Sequence, residues 1–289
     1  MINPINDHHF KFNRFMKIRN FWLFLSLLIL SISCDRKDGL SDENTTTNNT
    51  PILVTKLLTD DGVEFNFKYD SNKILEINTI EEKTIYFYTG ELITKSQYLG
   101  DFSNGVYYVS ELTDYTYDNS GRLSKSVTVK NDTSNNYTNK TTKTTTYSYL
   151  SNSLIKITEN EDGVINNYDV NTNSDGSVKS WVKTDSKGAK IGNVTIVYDN
   201  KNSPFQNIKG FYKIYFFDIQ KNSSIHNILE YNYVGDEQRK YKAVYQYNSN
   251  NYPTKSINSY YNSKHVRKNV KAEIFPLIIG ILATQSFRI

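Results

Sequence analysis

The stretch Tyr115 to Val127, Y-T-Y-D-N-S-G-R-L-S-K-S-V, constrains the fold more than any other part of the chain. Tyr115 and Tyr117 stand two residues apart, so on an extended backbone both point to one face. Asp118, Asn119, Ser120 and Gly121 follow as turn formers: Asp and Asn bond their own backbone, and Gly accepts positive φ. Leu123, Lys125 and Val127 then restart the period of two. The pattern is a β-hairpin, and looser copies run along the chain. Phe65, Phe67 and Tyr69 lead through Asp70-Ser71-Asn72 to Ile74, Leu75 and Ile77, and Tyr86 and Tyr88 lead through Thr89-Gly90 to Leu92 and Ile93. Tyr147 and Tyr149, then Tyr168 with Asn173-Ser174-Asp175-Gly176, and finally Tyr231 to Tyr247 continue the series. The spacing predicts an all-β fold: an antiparallel meander of repeated hairpins forming a curved sheet or a half or closed barrel over residues 52–273. The 23 Tyr and 15 Phe suit such a sheet, because aromatic side chains pack against cross-strand neighbours on a pleated surface.

One stretch departs from the period of two. Ser203-Pro204-Phe205-Gln206 reads as an N-cap, a proline at the first helical position and a capping-box Gln, with Gly210 as a stop. Phe211 to Ile219 is apolar at nearly every position. As a helix it sets Phe211, Tyr212, Tyr215 and Ile219 on one face that caps the sheet; as a strand it is buried on both faces. A short helical segment is therefore expected near 204–219.

The N-terminus gives an address. Lys11, Arg14, Lys17 and Arg19 precede an apolar run from Phe21 to Leu30 that reaches Cys34 through Ser31, Ile32 and Ser33. A basic region, a short apolar region and small residues before a cleavage point make a secretory signal. The run falls short of the roughly 20 residues of a membrane span. Residues 1–33 are thus expected to be a signal peptide, complete in itself whether translation starts at Met1 or Met16. Residues 34–51 are polar and read as a flexible tether. Residues 274–289 form an apolar tail interrupted by Pro276 and Gly280.

Because the single cysteine ends the apolar run, this segment resembles a bacterial lipoprotein signal, and the resemblance implies lipid attachment at Cys34 and a membrane partner. Ser33-Cys34 fits that pattern, whereas Ser31 stands where Leu is usual. The hairpin units, written Y-x-Y-D-x-x-G-x-L, resemble the YD repeats of bacterial cell-surface proteins. Together with V-Y-D-N-K-N-S-P-F-Q-N-I at Val197 to Ile208, they resemble more closely Bacteroidetes lipoproteins with a porin-like β fold. That resemblance implies an outer-membrane address on the periplasmic or surface face and is nearly silent on activity.

Composition excludes several classes of function. Loss of residues 1–33 removes four basic residues and Asp7, taking the net charge from +4 to +1. A near-neutral chain carries no electrostatic footprint for nucleic acid. With Cys34 acylated, no thiol is left for a disulfide, a thiolate metal site or a nucleophile. Asn171, Asn173, Asp175 and Gly176 imitate half a calcium loop, yet Val182 stands where a bidentate Glu is needed. His226 and His265 have no second ligand at i+2 or i+4, so no metal, cofactor or catalytic residue is assigned. The expected function is that of a lipid-anchored envelope protein with a non-enzymatic structural or binding role, its partner an envelope protein or a glycan. One alternative is a carrier of a glycan or apolar ligand on a concave aromatic face. The other is an envelope hydrolase, which needs two carboxylates that meet in space.

Overall fold

The computed structural model describes residues 51–59, 62–103, 106–131, 140–217, 224–262 and 272–273. Residues 1–33, Cys34, most of the tether, His265 and the 274–289 tail lie outside them. The described chain is a single sheet of sixteen strands in strictly sequential order, every neighbour antiparallel. They are β1 (Lys56–Leu58), β2 (Glu64–Asp70), β3 (Lys73–Asn78), β4 (Lys83–Thr89), β5 (Leu92–Ser103), β6 (Val106–Tyr117), β7 (Leu123–Asn131), β8 (Lys140–Tyr149) and β9 (Leu154–Glu161), followed by β10 (Val164–Thr172), β11 (Val178–Asp185), β12 (Lys190–Tyr198), β13 (Ile228–Val234), β14 (Gln238–Tyr247), β15 (Pro253–Asn262) and the two-residue β16 (Ala272–Glu273). The expected meander is thus observed.

The repeated unit has a repeated mechanical reason. Asp118 Oδ1 accepts from the N–H groups of Ser120 and Arg122, both at 2.9 Å, and Gly121 takes φ 68°. Asp185 and Asn248 close their turns in the same way. Asp118 and Gly121 are therefore turn chemistry. Six of the seven connections at this end of the sheet shift register by one residue just before the strand closes, as at Thr116/Tyr117 and Val197/Tyr198. A bulge of this kind adds twist and re-aims the side chain beside it.

Tyrosines near the strand ends on this side of the sheet, at the bulge for Tyr117 and Tyr198, reach back to the preceding unit. Tyr117 donates to the Ile93 carbonyl at 2.6 Å, Tyr149 to Leu123 at 3.0 Å, Tyr198 to Val178 at 2.9 Å and Tyr245 to Ile228 at 3.1 Å. Each acceptor is a buried residue at the start of a returning strand. The tyrosine pattern is a lock between successive hairpins.

Between β12 and β13 the chain leaves the sheet for an insert, residues 199–227, that holds the short helix α1 (Phe211–Tyr215). The helical reading of this stretch holds, with two corrections. Ser203 to Ile208 forms turns, because the Ser203 hydroxyl accepts from the Phe205 N–H at 3.3 Å and Gln206 spends its side chain on the Tyr252 hydroxyl at 2.8 Å. Gly210 is the N-cap of α1, not a stop, and takes φ 71°. The buried face of α1 is Phe211, Ile214 and Tyr215; Ile219 lies outside the described residues.

The insert fills the rolled sheet. Phe205, Ile208, Phe211, Ile214 and Tyr215 join Leu57, Phe67, Ile74, Ile77 and Ile93 in one core. Phe216 and Phe217 pack on a second core formed by Ile157, Tyr168, Val170, Trp181 and Val194. Asn207 Nδ2 donates both to Ile52 O at 2.9 Å and to the Tyr252 hydroxyl at 2.7 Å, tying the chain before β1 to the β14–β15 turn. A flat sheet would hold those points roughly 60 Å apart at the usual strand spacing, so the sheet is rolled nearly into a barrel. Among the described residues β1 pairs only with β2, and the seam is bridged by the insert instead of by strand pairing.

Gly210 allows this packing. A Cβ there would lie 3.1 Å from the Glu91 carbonyl oxygen and 3.3 Å from the Ile93 nitrogen, on a left-handed backbone. Gly210→Ala is expected to cost about 1–3 kcal/mol, read as a lower urea midpoint with an unchanged m-value.

A hydroxyl-lined cleft as the candidate binding site

Between the two cores, over the inner faces of β4 to β9, the sheet and the insert leave a cleft of about 460 Å³. Its walls follow from strand register. Ser96 stands opposite Thr113, Thr113 opposite Thr128 and Thr128 opposite Lys143. One rung further along, Tyr115 faces Ser126, Ser126 faces Thr145 and Thr145 faces Glu159. Tyr98, Glu111 and Lys130 make a third rung. Ile214, Tyr215 and Phe217 of the insert complete the lining. Where the flanking strands turn Ile, Leu or Val inward, β4 to β8 turn Thr and Ser inward, and no apolar plug from the insert can satisfy those hydroxyls.

The hydroxyls satisfy one another instead. Thr113 Oγ1 and Thr128 Oγ1 are 2.9 Å apart, Ser96 Oγ lies 3.0 Å from the Tyr115 hydroxyl, and the Tyr86 and Tyr215 hydroxyls are 3.1 Å apart. Tyr168 donates to Glu159 Oε2 at 2.7 Å, and Lys143 Nζ lies 3.8 Å from Glu159 Oε1. Burial pushes the Tyr147 phenol well up, and the nearby Glu159 carboxylate adds to it. Burial and Glu159 do the same to Tyr168. Both remain neutral hydrogen-bonding groups across the physiological range.

A concave face lined chiefly by aromatic and aliphatic groups is what an apolar carrier requires. The observed lining is hydroxyls, tyrosines and charges of both signs. The cleft holds two carboxylates, Glu111 and Glu159, but they do not form a close pair. They sit three strands apart and four residues out of register, roughly 13 Å along the strands alone. The separations used in glycoside hydrolysis are about 5–10 Å.

His226 gains a partner that lies 51 positions away and is invisible to local spacing. Its Nε2 lies 3.6 Å from Asp175 Oδ2, and its Nδ1 is 2.8 Å from the Lys201 carbonyl. The arrangement pins the end of the insert to the β10–β11 turn. In that turn Asn173, Asp175 and Gly176 bond one another and Ser177, and Val182 is paired within the sheet, so the calcium-like spacing is hairpin geometry. Among the described residues no group of three His, Cys, Asp or Glu side chains is placed to hold a metal ion.

No family model matches the chain, and no curated protein matches it. Among solved structures it is similar to a porin-like protein from Bacteroides vulgatus, at 14% identity and TM-score 0.46, over 77% of this chain and 97% of that one. It is also similar to a porin-like protein from Bacteroides uniformis, at 10% identity and TM-score 0.35, over 75% and 78% of the respective chains. Neither likeness assigns an activity to this chain.

Proposed function

We propose that this chain is a lipid-anchored protein of the cell envelope that binds, without turning over, a neutral hydroxyl-rich ligand of the saccharide class in the β4–β9 cleft. The observation that carries the reading is the cleft lining. Rungs of Ser and Thr offer both donors and acceptors, and Tyr98, Tyr115, Tyr147 and Tyr215 offer flat rings with polar edges. These hydroxyls already pair with one another, yet each oxygen keeps further acceptor capacity that a hydroxyl-rich ligand can engage and an apolar ligand cannot. The wide separation of Glu111 and Glu159 supports binding over hydrolysis.

The envelope address rests on the basic and apolar run ending in Cys34. Surface attachment, as opposed to insertion of the sheet into lipid, is supported by the outer faces of β8 to β10. They present Thr142, Thr144, Thr146, Thr158, Asn160 and Asn171, where a lipid-facing barrel carries an apolar band.

Calorimetric titration with neutral oligosaccharides from envelope polymers is expected to show binding that falls about tenfold or more in Tyr98→Ala, equivalent to about 1.4 kcal/mol. Release of shortened products, lost in Glu159→Gln, would overturn the non-enzymatic reading. Labelling of cells with a palmitate analogue is expected to mark the wild-type chain and not Cys34→Ala.

A further inference from the structure

The sheet is not uniformly charged. In phase with Val244 and Ile257, strands β14 and β15 carry Lys240, Lys242 and Lys255 against Glu230 of β13, while Arg239 is paired with Glu237 in the β13–β14 turn. Their outer face also exposes a few apolar side chains. Val244, 68% exposed, stands directly opposite the exposed Ile257. Lys240 faces Tyr261, Gln246 faces Lys255, and Lys242 faces Ser259 while pairing with Glu230 at 2.8 Å. Val197 and Val234 lie exposed on the same side of β12 and β13. An exposed apolar pair ringed by lysines and a tyrosine is the composition of a membrane-interface contact. The apolar groups enter the headgroup boundary, the ammonium groups meet anionic lipid, and tyrosine sits at the wet edge.

A second observation says which surface covers it. Through Asn207, Ile52 and Tyr252 of the β14–β15 turn share one side chain, so the chain N-terminal to β1 departs beside β14 and β15. We infer that the outer face of β12–β15, centred on Val244 and Ile257, docks on the anionic lipid surface of the membrane that anchors the chain. The choice of a membrane as the occupant rests on the lipid-anchored reading; the exposed Val244–Ile257 pair and its lysines do not. Docking there turns the polar outer face of β8 away from the bilayer.

The test uses the full chain in a Cys34→Ala background with one new cysteine, Val244→Cys or Thr146→Cys, labelled with bimane. Each is mixed with phosphatidylglycerol vesicles containing brominated lipid. Quenching at position 244 and not at 146, on anionic but not on zwitterionic vesicles, is the expected result. Lys240, Lys242 and Lys255 changed together to Gln are expected to weaken it more than tenfold, from about fivefold per charge. Equal quenching at both positions, or none at 244 while the chain sediments with the vesicles, would overturn the docking face. A spectral change at 244 without vesicles that grows with protein concentration would assign the face to a second copy and also overturn it. Failure of Cys34 to take palmitate in cells bears on the anchor alone and is read on the wild-type chain.

Discussion

Phe211→Ala is expected to destabilise the protein by about 3–5 kcal/mol, the usual cost of emptying a buried aromatic site. The ring is 2% exposed and lies 4.8 Å from Tyr215, 5.6 Å from Phe205 and 5.9 Å from Tyr86, centroid to centroid. Its neighbours are themselves large rings, Phe205 and Tyr215 of the insert and Tyr86 of β4, all buried, so the site cannot readily collapse to fill the space. The loss is a large share of the 5–15 kcal/mol that a domain has in total. It also has a second consequence. The insert that Phe211 anchors carries Tyr215 and Phe217 into the cleft and Asn207 across the seam, so saccharide binding should fall with stability. Phe211→Leu, which keeps most of the volume, should recover much of both. Urea denaturation and the oligosaccharide titration check this pair of variants. A cost under about 1 kcal/mol with binding intact would mean that the sheet holds its roll without the insert.

The hairpins were legible in the sequence because each is local: a tyrosine pair, an Asx or Gly turn and a restart of the apolar period all lie within about a dozen residues. The cleft was legible only in part. Tyr115 is in phase with Thr113 and Glu111, and Tyr147 with Thr145 and Lys143, so the period of two already marks those residues as inward. What the period cannot say is that five successive strands place their hydroxyls in common rungs. That depends on register, which the bulges before Tyr88 and Tyr117 displace by one residue. The role of the insert was hidden for a related reason. Its partners Ile52, Tyr86, Tyr147 and Tyr252 are spread along the whole domain, and rolling of the sheet alone brings them together. Gly210 was misread as a helix stop because glycine with positive φ suits either end of a helix, and only the packing against Glu91 and Ile93 decides which.

Raising the pH is expected to unfold the protein cooperatively, and the tyrosine lock is the reason. Burial pushes the phenols of Tyr88 and Tyr149 up to about 12. It pushes Tyr69, Tyr117, Tyr198 and Tyr245 higher still, with neighbouring tyrosines adding to the effect. In the unfolded chain each phenol titrates near 10. The folded state therefore holds its phenolic protons more tightly than the unfolded state, so the stability they contribute is complete below pH 10 and is lost as pH rises towards and past 12. Ionisation also removes the donor: a phenolate on Tyr117 cannot bond the Ile93 carbonyl, and the two oxygens then repel. Tyr117, Tyr149, Tyr198 and Tyr245 each join one hairpin to the one before it, and Tyr69 and Tyr88 bond the Val54 and Lys209 carbonyls, so the loss of a few frees the edges of their neighbours. Tyrosinate absorbance should therefore rise late and steeply, in step with loss of the β circular dichroism signal. A shallow rise centred near pH 10 with the sheet intact would show that these phenols are exposed to solvent and that the hairpins are held together by their main-chain ladders alone.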